Sequence, residues 1–106
     1  MSEPAEDVEV DKDATSFKID FNLEGHRIEV EGHQGLTANV YRLIVDGHKV
    51  DEVEKAMGTH VMRGELPGAG SGEARPLLIH LEGSLRNKTY LEFEGQRQEL
   101  LKSWVA

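Results

Sequence analysis

Residues 15–23, Thr-Ser-Phe-Lys-Ile-Asp-Phe-Asn-Leu, alternate apolar with polar almost without a break. Phe17, Ile19, Phe21 and Leu23 fall on one face, and Ser16, Lys18, Asp20 and Asn22 on the other. A period of two marks a half-buried β-strand. The run His26-Arg-Ile-Glu-Val-Glu31 alternates again, with Ile28 and Val30 inward. Val40 to Asp46 reads as another strand, with Tyr41, Leu43 and Val45 on one face and Val40 and Ile44 on the other. Apolar residues on both faces suggest a more central or doubly covered strand. Leu77 to Glu82 places Leu77, Ile79 and Leu81 together, and Lys88 to Glu94 places Leu91 and Phe93 opposite Tyr90.

Five acid–glycine dipeptides punctuate these runs: Glu24-Gly25, Glu31-Gly32, Asp46-Gly47, Glu82-Gly83 and Glu94-Gly95. Asp-Gly between alternating segments is a strong hairpin signal, because a type I′ turn needs positive φ and glycine supplies it cheaply. Glu-Gly is a weaker version of the same device. The pattern predicts an all-β, antiparallel domain over residues 15–106, folded as a β-sandwich or a partly open barrel built from hairpins. Its core should hold Phe17, Ile19, Phe21, Ile28, Val30, Leu43, Val45, Ile79, Leu81, Leu91 and Phe93.

Two segments are ambiguous. In residues 48–57, Val50, Val53 and Met57 fit a helical stripe, while a strand from His48 to Val53 fits hairpin logic. In residues 96–105, Leu100, Leu101, Trp104 and Val105 fit a short C-terminal helix, and equally a last strand. Thr59 to Arg63 reads as a short strand. Residues 67–76 contain three glycines and two prolines and read as a surface loop. That loop lacks both the lysine of a P-loop and a helix start.

Charge changes the picture at one end. The chain of 106 residues carries a net charge of −8. Residues 1–13 hold six acids against Lys12, a net of −5, which leaves only −3 for the remainder. Residues 1–14 offer few aliphatic side chains to offset ordering entropy, so a disordered acidic tail is expected there. The sharper reading is a docking segment that orders on a basic partner. No basic cluster is visible, so nucleic acid and anionic membranes are not expected as partners. No apolar run is long enough to span a bilayer as a helix.

There is no cysteine. Disulfides, thiol catalysis and cysteine-ligated metals are therefore excluded. The lack of disulfide staples and of an apolar leader points to a cytoplasmic setting. His26, His33 and His48 follow glycine in the turns, and His60 and His80 complete the set. In a meander, His33 sits at the opposite end of the sheet from His26 and His48. Those two begin strands separated by one other, roughly 10 Å apart at the usual strand spacing, too far for one ion. Glu29 and Glu31 share the polar face of a strand, and Asp51-Glu52 is a second acid pair. Both read as solvated carboxylates, since catalysis would need a pocket and a shifted pKa. Ser16, Ser71, Ser84 and Ser103 lack a nucleophile-elbow context. Trp104 reads as a packing residue. No catalytic, cofactor or metal residue is assigned.

The stretch from His26-Arg-Ile-Glu-Val-Glu31 through Val45-Asp-Gly-His-Lys-Val50 resembles the Fas apoptotic inhibitory molecule family. Members carry a similar His-basic-Ile-Glu-aromatic-Glu strand and a Val-Asp-Gly-Lys turn. The stretch Tyr90-Leu-Glu-Phe-Glu-Gly-Gln-Arg-Gln-Glu-Leu-Leu-Lys-Ser-Trp104 is similar to another strand–turn segment of that family. The chain lacks the length of the two-domain members, so the resemblance extends to one of their modules only, and it lacks the family's tryptophan-rich segments. The resemblance implies a non-catalytic β-sandwich that acts through protein contacts, and it brings no catalytic set with it. The expected function is a non-enzymatic, soluble binding domain with an unknown protein partner and no cofactor. The alternative is a barrel that binds a small apolar ligand in a hollow interior.

Overall fold

The computed structural model describes residues 3–55, 58–68, 72–82 and 88–102. Within them the chain forms β1 (Ala5–Lys12), β2 (Ser16–Leu23), β3 (His26–Gln34), β4 (Asn39–Val45), β5 (His48–Lys55), β6 (His60–Leu66), β7 (Arg75–Glu82), β8 (Lys88–Phe93) and β9 (Gln96–Leu101). Strands β1 to β5 make one sheet in sequence order, and β6 to β9 make a second. All pairs are antiparallel neighbours in sequence. The fold is thus a two-sheet, all-β sandwich and is not closed into a barrel.

Three of the acid–glycine dipeptides are the tight turns. Glu24, Asp46 and Glu94 each have φ 50°, and the following Gly25, Gly47 and Gly95 have φ 84°, 83° and 76°. Two successive positive φ values match the right-handed strand twist of a type I′ hairpin. Glu31-Gly32 is no turn. It lies inside β3, where Gly32 faces Phe17 on β2 and Tyr41 on β4. Glu82 ends β7, and Gly83 lies outside the described residues.

All eleven expected core residues are buried, and the interior also takes Leu23, Tyr41, Met62, Leu66, Leu77, Leu100 and Leu101. Inward side chains from both sheets meet face to face. A Cβ placed on Gly64 of β6 would lie 3.2 Å from Leu43 and 3.3 Å from Val50, so β6 packs over β4 and β5. The ambiguous segments are strands: β5 runs to Lys55 and β9 to Leu101. The helical spacing of Val50 and Val53 loses to hairpin pairing across Asp46-Gly47. Met57, Trp104 and Val105 lie outside the described residues.

The acidic segment departs from its expectation. Residues 5–12, placed in a disordered tail by composition, form β1 in register with β2. Only Ala5 of this strand is buried. Backbone pairing to the edge of β2 supplies what apolar burial does not. Asp13 supplies the turn: its Oδ1 accepts from the amides of Thr15 (2.8 Å) and Ser16 (2.9 Å). These two backbone bonds hold the Asp13 carboxyl below its ordinary pKa.

Side chains clasp the two seams between the sheets. At one, Gln98 of β9 accepts from the Ala5 amide (2.8 Å) and donates to the Ala5 carbonyl (3.3 Å). At the other, Asp51 of β5 accepts from the Arg63 amide of β6 (2.9 Å). Arg75 adds a third link, reaching Glu24 (2.6 Å) and Glu94 (2.7 Å) on turns of different sheets.

Candidate functional site

The outer faces of the two sheets differ in chemistry. On the five-stranded sheet, register places Asp11, Lys18, Glu31, Arg42 and Glu52 side by side, alternating in sign across every strand. Lys18–Glu29 (3.3 Å), Arg42–Glu52 (2.6 Å) and Lys49–Glu52 (3.2 Å) pair on this face. The expected solvated carboxylates Glu29, Glu31 and Glu52 all lie here. Such a surface is laced with its own ion pairs, and its apolar side chains on β4 are the half-buried Val40 and Ile44.

One row breaks the alternation. Glu9, Asp20 and Glu29 lie opposite one another on β1, β2 and β3. Burial pushes the Asp20 carboxyl above its ordinary pKa; Lys18 and Arg27 pull it down, and the neighbouring Glu29 carboxylate raises it again. Its Oδ1 is buried without a hydrogen-bond partner, although the Arg27 guanidinium stands 3.5 Å away. A carboxyl with a raised native pKa destabilises the fold when it is ionised. Asp20→Asn should therefore stabilise the protein at neutral pH by about 0.5–1 kcal/mol. The gain should shrink as pH falls through the native Asp20 pKa and be gone below 3.8, the ordinary value. Urea melts of both proteins at neutral and acid pH check this, and a gain that persists in acid would refute the cause.

The outer face of the four-stranded sheet is different. Register aligns Val61, His80, Tyr90 and Glu99 in one row and Arg63, Leu78, Glu92 and Arg97 in the next. Val61 is 46% exposed, and Leu78, His80 and Tyr90 are half-buried. The Arg97 guanidinium stacks 4.4 Å from the Tyr90 ring centre and bonds Glu82 at 2.5 Å. His80 Nε2 lies 2.9 Å from Glu92 Oε1. Apolar and aromatic side chains thus form a strip that runs from the end strand β6 across β7 to β8, framed by arginines and carboxylates. Tyrosine and arginine around an apolar centre is the composition enriched at protein interfaces.

The remaining singled-out residues take structural posts. His26 Nδ1 meets Asp46 Oδ2 at 2.7 Å, which ties two neighbouring turns together. That contact and the Arg27 amide, 3.0 Å from Asp46 Oδ1, hold the Asp46 carboxyl below its ordinary pKa. His33 pairs with Val40 at the far end of β3, and His48 begins β5 beyond β4. Among the described residues no group of three His, Asp or Glu side chains could hold a metal ion. Asp51 serves backbone amides, and Ser16 bonds Asp13. Ser71, Ser84, Ser103 and Trp104 lie outside the described residues.

Among the described residues, His26–Asp46 and His80–Glu92 are carboxylate–histidine pairs, and Asp20, whose pKa burial raises, lines a surface hollow with Glu9. Surface hollows of about 460, 300 and 230 Å³ are lined by neither pair. Sequence reading placed Tyr90 on the outer side of its strand but missed Leu78 and Val61. The available signal was Leu78, an apolar residue between the inward Leu77 and Ile79. Comparison with protein-family models, curated proteins and solved structures finds no match to this chain.

Proposed function

We propose that this chain is a non-enzymatic binding domain that acts through a protein contact on the outer face of its four-stranded sheet. The observation that carries the reading is the strip of Val61, Leu78, His80 and Tyr90, with Arg97 stacked on the tyrosine. The resemblance to the Fas apoptotic inhibitory molecule family points the same way, toward a β-sandwich that works by protein contacts. The absence of cysteine fits a cytoplasmic setting. The alternative, an apolar ligand inside a barrel, has less support. The strands form two separate sheets, and their inward side chains are packed against one another.

Affinity capture with the wild type and with Tyr90→Ala and Leu78→Glu variants tests the reading. Truncating a central tyrosine of an interface costs about 2 kcal/mol, close to thirtyfold in Kd. The proteins recovered by the wild type should drop out with both variants while the melting temperature stays within a few degrees. An unchanged set of recovered proteins would defeat the proposed face. A stoichiometric small molecule recovered without a protein would defeat the proposed function.

A further inference from the structure

A second surface lies on the other sheet. Strand β1 is an end strand, paired on one side by β2. Gln98 covers its other side at Ala5. Past that point, among the described residues, no strand pairs with its outer edge. An exposed edge of this kind presents backbone N–H and C=O groups and can template a further strand.

The side chains of the edge sort by face. Glu9 and Asp11 stand opposite Asp20 and Lys18, on the outer face of the sheet. Val10 stands opposite Ile19, on the inner face, yet it is 42% exposed because the second sheet does not cover it. Val8 is 37% exposed and lines the hollow of about 460 Å³ together with Glu9 and Asp20. A bulge interrupts the pairing between Glu6 and Glu9, and Asp7 within it takes φ 54°. Asp7 and Val8 together oppose Phe21, so the bulge bends the strand there and the straight, pairable length begins at Glu9.

Charge decides the occupant. A second copy of β1 laid alongside would set carboxylate against carboxylate, which is destabilising across a strand pair. Acidic strands are repelled for the same reason. A segment bearing cations at alternate positions would meet Glu9 and Asp11 on one face while its intervening apolar side chains covered Val10 on the other. We propose that the outer edge of β1 takes up an extended basic segment of a partner protein by strand addition. Lysines or arginines would lie on the Glu9–Asp11 side and aliphatic residues on the Val10 side. This edge and the outer face of the four-stranded sheet lie on different sheets, so either assignment can fail alone.

The probe is a fluorescein-labelled Lys-Val-Lys-Val-Lys-Val peptide, titrated by anisotropy and by backbone amide NMR. Saturable binding is expected, with shift changes concentrated from Glu9 to Lys12. The double substitution Glu9→Lys/Asp11→Lys should weaken it at least about tenfold, and Glu9→Gln/Asp11→Gln by less. The neutral pair keeps the test intact if the lysine pair perturbs folding. The proposal is overturned if a peptide N-methylated at alternate amides binds as tightly, since pairing would then play no part. Shift changes confined to the four-stranded sheet, or binding unaffected by either substitution, would overturn it equally.

Discussion

Gly32→Ala should destabilise the protein by about 2–3 kcal/mol, although it adds one methyl group. A Cβ at this position would lie 2.3 Å from Phe17 Cε2 and 2.8 Å from both Cδ2 and Cζ of the same ring. The ring cannot swing away freely. Phe17 is 2% exposed, and its ring packs against Tyr41 at 6.1 Å between centres. The conflict is steric, because Gly32 sits mid-strand and does not share the positive φ of the turn glycines. Shrinking the partner should relieve it. Phe17→Leu costs stability alone, yet the pair Phe17→Leu/Gly32→Ala should lose less than the sum of the single losses. Urea denaturation of the four proteins measures this. A Gly32→Ala protein within about 0.5 kcal/mol of wild type, the range of ordinary surface changes, would show that the ring has room to move.

Leu43→Ala should cost about 2–5 kcal/mol, the range for opening a cavity under a fully buried leucine. Leu43 is 0% exposed and reaches across the sandwich to β6. Its neighbour there is Gly64, where an added Cβ would stand 3.2 Å from Leu43 and 3.5 Å from Leu77. Gly64→Ala should therefore refill part of the space that Leu43→Ala empties. In a double-mutant cycle the two changes should couple favourably by about 1 kcal/mol, as contacting residues do. Strict additivity would mean that the sheets do not meet at this point.

Alternation made β2, β3, β7 and β8 readable, because each buries one face and wets the other. The turns at Glu24, Asp46 and Glu94 were readable because their glycines supply a backbone conformation that few residues share. Glu31-Gly32 carries the same letters and was misread. Its glycine makes room for the Phe17 ring, a reason that lies on another strand. β1 was hidden because composition reports burial, and this strand is held by backbone pairing and by Gln98, distant in sequence. The contact strip was half legible. Tyr90 could be placed outward from its own strand, but Val61 and Leu78 become its neighbours only once β6, β7 and β8 are in register.

The meander has a consequence for how the chain reaches this structure. Within each sheet every strand pairs with the next one along, so most of both sheets can zip up from hairpins that close over short loops. Local closure of this kind favours early formation. The Gln98–Ala5 clasp is the opposite case, joining residues 93 positions apart. Its loop entropy is recovered only after both sheets exist, which places it late on the folding route. Interactions absent from the transition state govern the rate of unfolding more than the rate of folding. The β1–β9 seam is therefore expected to act as a kinetic lock: removing it by Gln98→Ala should speed unfolding more than it slows folding.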